Sequence, residues 1–325
     1  TIDSLHAELA SGRLSCVQLV QSYLDRVAAY DQAGPKLNAI QNVNPNALKR
    51  AAELDAAYKT SGAFSGPLHC IPVLLKDDID TNFMPTTYGS ALFKTFVPAK
   101  NATIVDRLEA AGAIILAKAN MGEFAEGYSG SAFGACHNAY DPGRSPSGSS
   151  RGTAVGLAAN FAAVGIGEDT AGSIRGPAAH GSLVGLRPTV PLVSRAGTMP
   201  LYPTRDTLGP ITRTVRDAAI VLDVIAGYDP ADPITAASYG QRPGTYTSFL
   251  VPDGLSGMRF GVIRAPMSRS TDTQAEDYKE TQAAITAAVA DLRKHGAAVV
   301  DALDIPGLMP MIAAAGAAGA SETEP

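Results

Sequence analysis

The sequence is poor in the residues that bind metal ions. It has three cysteines and five histidines in 325 residues, and they form no CxxC pair, HExxH motif or spaced Cys/His cluster. Because a zinc site needs several such ligands at short spacing, we predict no metal site. Cys16, Cys70 and Cys136 are interpreted as scattered free thiols.

Basic clusters and long apolar runs are also absent. The formal net charge is −5 without a basic patch, so we expect no nucleic-acid surface. The apolar stretches are short and are interrupted by charged residues or glycine, which argues against a transmembrane helix and a membrane partner. The composition, 46% apolar and 18% charged, is typical of a globular protein.

The sequence lacks an initiator methionine, because its first residue is Thr1. We therefore expect a tag, a tail or a signal peptide upstream. A cytoplasmic location is expected, with secretion or a periplasmic location as the alternative. The sequence does not distinguish a monomer from a homodimer.

Nucleotide-binding loops are not found either. Gly165-Ile166-Gly167 begins like a GxGxxG loop, but Thr170 occupies the position of its third glycine. No GxxxxGK[ST] segment is present. We therefore predict no bound cofactor.

Helix and strand patterns alternate along the chain. Ser15 can cap a helix whose apolar residues share one face, namely Leu19, Val20, Tyr23, Leu24 and Val27. Asn44-Pro45 predicts the start of a second helix, which ends near Thr60. Further helices are predicted at 103–111, after Ser150, at 214–226 and at 274–295, and strands at 71–75, 113–117, 162–166, 184–186, 259–263 and 297–300. This alternation indicates an α/β fold, with a sheet covered by helices on both faces. Residues 313–325 show no clear terminal element.

The chemistry is expected in a stretch rich in Gly, Ser and Ala, residues 144–189. It contains two turns with Gly-flanked serines, Ser147-Gly148-Ser149-Ser150 and Ala171-Gly172-Ser173. Glycine permits unusual backbone angles, and such turns present N–H groups that can form an oxyanion hole. The alternative for Ser149 and Ser150 is an ordinary helix N-cap.

Lys76 is the candidate base. It directly follows the apolar run 72–75 and precedes Asp77-Asp78. Desolvation at the end of a buried strand lowers the pKa of a lysine and leaves part of it neutral, so that it can accept a proton. The alternative is that Lys76 only pairs with Asp77, Asp78 or Asp80.

At these residues the chain resembles the amidase signature family of serine hydrolases. GPLHCIPVLLKDDID is similar to the family's lysine strand, SPSGSSRGTAVGLAAN to its Gly/Ser-rich loop, and GIGEDTAGSIRGPAAHGSLVGLRPT to its nucleophile region. LGPITRTVRDAAIVLDVIAGYDP is also similar, and the resemblance extends over about residues 1–235. The spacing of Lys76, Ser149 and Ser173 fits the family pattern.

The resemblance implies a fold and a division of the chain. The expected fold is the amidase signature fold, an α/β fold with a central mixed, mostly parallel twisted sheet. We expect residues 1–325 to form a single amidase domain, with a helical segment at 1–65, a catalytic core at 66–235 and an incomplete C-terminal portion at 236–325. Family members are longer, and their remaining part normally completes the sheet and lines the substrate pocket.

The resemblance also implies roles for individual residues. Ser173 corresponds to the nucleophile, Lys76 to the base, and Ser149 to the relay between them, usually after a cis peptide bond. The backbone N–H groups implied for the oxyanion hole are those of Thr170, Ala171, Gly172 and Ser173. Ser150, Asp169 and Arg175 correspond to positions that support these loops.

Three positions depart from the family pattern, and the first of them is Ser147, which stands where the serine loop usually has glycine. Ala171-Gly172 replaces the usual Gly-Gly before the nucleophile, so the oxyanion hole is expected to differ slightly in shape. Arg151 follows the serine pair where glycine is usual, and we interpret it as facing solvent, with contact to substrate as the alternative.

The implied function is hydrolysis of a small, aryl or C-terminal peptide amide through a Ser173 acyl-enzyme, without metal or cofactor. One alternative is the amidase subunit of a tRNA-dependent amidotransferase, which hydrolyses glutamine. Another is a carbamate or urea hydrolase that uses the same triad. A binding protein without turnover is the alternative from a different class.

Overall fold

The structure is a computed structural model that describes residues 1–126, 129–241, 244–264, 267 and 272–321. Two compact units are distinguished, Thr1–Ser248 and Phe249–Pro325. The single amidase domain expected from the sequence stays a prediction.

The first unit contains a six-stranded sheet with the strand order β1-β3-β2-β6-β8-β7. The strands of this unit are β1 (Ile40–Val43), β2 (Pro72–Lys76), β3 (Ile114–Ala119), β4 (Ser129–Gly130), β5 (Gly134–Ala135), β6 (Val164–Asp169), β7 (Val184–Gly185) and β8 (Thr207–Thr212). Its helices are α1 (Ile2–Ala10), α2 (Cys16–Tyr30), α3 (Ala47–Ser61), α4 (Thr103–Ala110), α5 (Arg151–Ala158), α6 (Arg175–His180) and α7 (Val215–Ile225).

The sheet is mixed, and helices pack on both of its faces, as expected for an α/β fold. Of its five strand pairings in the described residues, two are parallel and three are antiparallel. β2 is buried throughout because its side chains alternate between two cores. Leu74 packs with residues of α2, α3 and α5. Val73 and Leu75 pack with residues of α4 and α7 on the opposite face.

Parallel pairing joins the three central strands β3, β2 and β6. The carboxyl ends of parallel strands meet at one edge of a sheet, where functional side chains commonly collect. β2 ends there with Lys76 and β6 ends there with Asp169. α5 and α6 begin at Arg151 and Arg175, each two residues after a candidate serine.

The predicted N-terminal helix is confirmed in detail. The Ser15 hydroxyl accepts from the Gln18 N–H at 3.1 Å, and the Gln18 side chain accepts from the Ser15 N–H at 2.9 Å. This reciprocal capping satisfies backbone donors that the first turn of a helix leaves free. α3 starts at Ala47, later than predicted, because Asn44 Oδ1 accepts from the Asn46 N–H at 2.9 Å and forms a turn before the helix.

Seven of the described elements were not predicted individually, namely α1, β1, β4, β5, α6, β8 and a final helix. β8 contains Pro210, yet it pairs antiparallel with both β6 and β7. The second unit contains the parallel pair β9 (Arg259–Val262) and β10 (Ala298–Asp301), the helix α8 (Glu276–Lys294) and a further helix, α9 (Leu308–Ser321). The expectation of no terminal element was therefore wrong, because alanine-rich sequence is strongly helix-forming. Residues 322–325 lie outside the described residues.

The interpretation of three free thiols was wrong. Cys16 and Cys70 form a disulfide, and Cys136 is a buried free thiol. The sequence could not reveal the pair because the partners are 54 residues apart and only the fold brings α2 against the start of β2. Among the helices of the described residues, none is long and apolar enough to cross a membrane.

Candidate active site

The loop that contains Ser149 is hydrogen-bonded to the turn that contains Ser173. The Ser150 N–H donates to the Ser173 carbonyl oxygen at 3.2 Å. The Ser150 hydroxyl donates to the Glu168 carbonyl oxygen at 3.1 Å and accepts from the Glu168 N–H at 3.3 Å. The Gly148–Ser149 peptide bond is cis. The two predicted serine turns therefore meet at the end of β6.

Asp169 organises the Ser173 turn. Its carboxylate is buried and accepts from the N–H groups of Gly172 at 2.8 Å and Ile174 at 3.0 Å, one on each side of Ser173. Arg175 and Arg187 donate to it at 3.1 and 3.2 Å. Burial alone would raise the pKa of Asp169, but these donors outweigh it and hold the pKa below its usual value.

The same contacts bear on the predicted oxyanion hole. Because the Gly172 N–H is bound to Asp169, three of the four predicted donors remain as candidates, those of Thr170, Ala171 and Ser173. Gly172 has φ +139°, a backbone conformation that L-residues rarely adopt. Ala171 lies exposed beside it, where the family pattern has glycine.

Lys76 is fully buried beneath these turns, and its partners are carboxylates. Nζ lies 2.6 Å from Glu168 Oε2, 2.9 Å from Asp78 Oδ2 and 3.4 Å from the Glu168 carbonyl oxygen. Burial disfavours the ammonium, but the negative charges of Asp78 and Glu168 outweigh burial and raise the pKa of Lys76. The expectation that desolvation leaves Lys76 partly neutral was therefore wrong.

Ser149 is not hydrogen-bonded to the amine that is expected to receive its proton. The serine is buried, and its hydroxyl has no hydrogen-bond partner among the residues that the structure describes. Lys76 Nζ and the Ser150 hydroxyl nevertheless contact the same Glu168 carbonyl oxygen. The lysine and the serine loop therefore meet at the end of β6, while the amine is engaged with acidic groups.

Glu168 extends this cluster toward the start of β8. Its Oε1 lies 3.0 Å from the Thr170 hydroxyl oxygen, and this hydroxyl makes its shorter contact, 2.6 Å, with Asp206 Oδ1. Asp206 also accepts hydrogen bonds from the backbone N–H groups of Leu201 and Tyr202. Burial raises the pKa of Glu168 even though Lys76 lowers it. Glu168 and Asp206 border a cavity of about 300 Å³.

A second buried lysine lies on the strand that pairs with β2. Lys118 on β3 pairs with Asp77 at 3.3 Å and donates to the Thr86 hydroxyl at 2.8 Å. Burial lowers the pKa of Lys118 and raises that of Asp77. Of the three predicted acidic partners of Lys76, all of them described residues, Asp78 is the one in contact, because Asp77 is turned to Lys118 and Asp80 accepts from the Tyr88 hydroxyl.

Sequence reasoning missed both Glu168 and Lys118. Each lies at or near the carboxyl end of a strand whose sequence predicts burial. A charged side chain is costly to bury there unless it has a partner of opposite charge. A charged residue at the end of an apolar run is the sequence pattern by which both could have been recognised.

Arg151 is buried, so the interpretation that it faces solvent was wrong. It is 1% exposed and is the first residue of α5. A Cβ added at Gly148 would lie 2.9 Å from Arg151 Nη2, which places the guanidinium directly against the serine loop.

One group of side chains in the described residues has the composition of a metal site. Ligand atoms of Cys16, His69 and Cys70 lie within 4.8 Å of one another. Metals bind cysteine as the thiolate, and here both sulfurs are joined in a disulfide. In this state the group does not offer thiolate ligands.

Comparison with known proteins agrees with the architecture. The family model described as Amidase matches residues 18–323. The chain is 40% identical over 299 residues to the glutamyl-tRNA(Gln) amidotransferase A chain of Anaeromyxobacter sp. strain K, covering 91% of this chain and 58% of that protein. It is 37% identical over 319 residues to a probable amidase of Arabidopsis thaliana, covering 95% of this chain and 59% of that protein.

A solved structure is similar throughout the fold. The native peptide amidase from Stenotrophomonas maltophilia superposes with a TM-score of 0.89 at 42% identity, covering 96% of this chain and 63% of that chain. This chain therefore spans about three fifths of the length of the relatives that it matches.

Proposed function

The chain belongs to the amidase family, and from this premise we propose that it hydrolyses the carbon–nitrogen bond of an amide with Ser173 as nucleophile. The proposed substrate is a small, aryl or C-terminal peptide amide. The similarity to the peptide amidase from Stenotrophomonas maltophilia supports this class.

In the proposed reaction, Ser173 attacks the amide carbonyl and its proton passes through Ser149 to Lys76. A serine hydroxyl needs such an adjacent base to become an effective nucleophile. The N–H groups of Thr170, Ala171 and Ser173 are the proposed donors to the oxyanion, each of which typically contributes about 3 kcal/mol to transition-state stabilisation. The proton then returns to the leaving amine, and water hydrolyses the acyl-enzyme by the reverse route.

The observation that carries the proposal is the hydrogen bond from the Ser150 N–H to the Ser173 carbonyl oxygen, at 3.2 Å. This bond ties the loop of the proposed relay to the turn of the proposed nucleophile. Both lie at the strand ends where Lys76 is buried. A helix cap alone would explain Ser150 but not its attachment to the Ser173 turn.

The test is an activity panel of primary amides, anilides, C-terminal peptide amides and carbamates, with ammonia or amine release as the readout. Ser173→Ala should abolish turnover and labelling by a serine-directed phosphonate while leaving the circular dichroism spectrum unchanged. Ser22→Ala, at an exposed position on α2, is the matched control and should retain full activity. Full activity of Ser173→Ala would contradict the proposal.

A second candidate function is that of the amidase component of a tRNA-dependent amidotransferase. The 40% identity to such a protein over 91% of the chain favours it. Glutaminase activity that depends on copurifying partner proteins would support this candidate. Turnover of peptide amides or anilides by the isolated chain would support the first. A carbamate or urea hydrolase is the third candidate, which the same panel tests.

A further inference from the structure

The amine of Lys76 forms two hydrogen bonds to Glu168 and an ion pair with Asp78. An ammonium group has three N–H donors and no acceptor. Nζ contacts Asp78 Oδ2 at 2.9 Å, Glu168 Oε2 at 2.6 Å and the Glu168 carbonyl oxygen at 3.4 Å. Ser149 meanwhile has a buried hydroxyl without a partner in the described part of the chain. The Lys76 amine, which should receive the proton of Ser149, is therefore engaged with carboxylates instead.

We propose that Glu168 is a positioning residue that keeps Lys76 an ammonium ion bound to carboxylates, so that hydrolysis requires this cluster to lose a proton. The inference rests on the proposed function. When the cluster releases one proton to solvent, Lys76 Nζ gains a lone pair. It can then accept the Ser149 proton while Ser149 accepts that of Ser173. Glu168 acts through Lys76 and takes no part in bond making or breaking.

The charges around Lys76 favour the protonated state. The loop after β2 contributes Asp78, and β6 contributes Glu168, while Asp206 adjoins Glu168 through Thr170. On β3, Lys118 is already paired with Asp77, and Asp80 is bound to Tyr88. Lys76 thus faces two buried carboxylates, and removal of its proton would leave their charges uncompensated.

Glu168 makes the closer contact of the two carboxylates with the Lys76 amine. Its Oε2 makes the shorter contact with Nζ, and its carbonyl oxygen contacts the same amine. The Ser150 hydroxyl binds both the N–H and the carbonyl of Glu168, so its backbone cannot shift without moving the serine loop. Glu168 also borders the cavity next to Asp206, which provides a route by which the proton released from the cluster can exchange with solvent.

The test compares pH profiles of kcat/KM for the wild type and Glu168→Gln, which keeps the shape of the side chain and removes its charge. We expect the profile to shift at least one pH unit toward lower pH and kcat/KM at pH 7 to rise about tenfold, since one unit of pKa is a factor of ten. Glu280→Gln, an exposed change on α8, is the control and should leave the profile in place.

A second measurement does not depend on turnover. In protein labelled with ¹³Cε-lysine, the Lys76 signal can be assigned with Lys76→Met and titrated in the wild type and Glu168→Gln. We expect its midpoint to fall in the variant by at least one pH unit. If no amide is hydrolysed but the Lys76 titration midpoint falls in the variant, the proposed function is wrong, while the inference that Glu168 keeps Lys76 protonated is supported.

An unchanged midpoint, or a profile that superimposes on the wild type or moves to higher pH, would overturn the inference. Loss of activity in a folded Glu168→Gln variant would also overturn it, since Glu168 would then be required as a proton acceptor. If Glu168→Gln does not fold, Glu168→Thr removes the same charge with a smaller side chain and is judged by the same criteria.

Discussion

Removal of the Cys16–Cys70 disulfide should destabilise the unit Thr1–Ser248 by about 4 kcal/mol. The bond closes a loop of 54 residues, and the entropy that such a loop removes from the unfolded chain corresponds to about this free energy. The Cα–Cα distance of 5.3 Å is within the range that disulfides span. For a unit of this size, each 1 kcal/mol lowers Tm by about 2–4 °C, so we expect a decrease of about 8–16 °C.

The position of the bond explains why the effect should reach the active site. Cys16 is the first residue of α2, and Cys70 lies just before β2, the strand that ends at Lys76. Both cysteines are at most 1% exposed, so a reductant reaches the sulfurs only when the unit opens locally. Reduction should therefore be slow in native buffer and fast in mild denaturant.

The assay is thermal unfolding of the wild type with and without reductant, together with Cys16→Ala/Cys70→Ala. The double variant and the fully reduced wild type should unfold at similar temperatures, and reductant should leave the Tm of the double variant unchanged. Alkylation and mass spectrometry of the unreduced protein should find one free thiol, that of Cys136. Three free thiols, or a Tm that changes by less than about 2 °C on reduction, would refute the reasoning.

The disulfide also bears on the location of the protein. Disulfides form and persist in oxidising compartments and are rare in the cytosol. The bond can therefore be used to test the predicted cytoplasmic location against its secreted or periplasmic alternative, and both stay predictions.

Three further predictions concern the site. Asp169→Asn should lower kcat/KM about a hundredfold, which corresponds to about 3 kcal/mol, because an amide oxygen cannot accept all the hydrogen bonds that the carboxylate now accepts. Unchanged kinetics would contradict the inference that Asp169 organises the Ser173 turn. Gly172→Ala should reduce kcat by at least tenfold, with KM less affected, because alanine is strained at φ +139°; a variant with wild-type kcat would contradict this. Since its carboxylate neighbours raise the pKa of Lys76, the neutral base increases as pH rises, so log kcat/KM should climb with unit slope from pH 7 into the alkaline range; a plateau already reached at pH 7 would contradict the raised pKa.

Local patterns in the sequence were sufficient to predict the elements that frame the site. A serine cap and apolar spacing predicted α2, and a continuous apolar run predicted β2. The Gly/Ser-rich segments predicted the two serine turns, and the resemblance predicted the family to which the chain belongs. These features depend on neighbouring residues, which is why they could be recognised without the fold.

The tertiary structure alone decided which charges and sulfurs meet. Glu168 is 92 residues from Lys76, and the parallel pairing of β2 with β6 brings them together. Cys16 reaches Cys70 because α2 packs against the start of β2. Arg151 is buried because α5 begins directly behind the serine loop. The sequence thus determined which residues can do the chemistry, but the proton state of Lys76 depends on carboxylates that only the folded sheet places beside it.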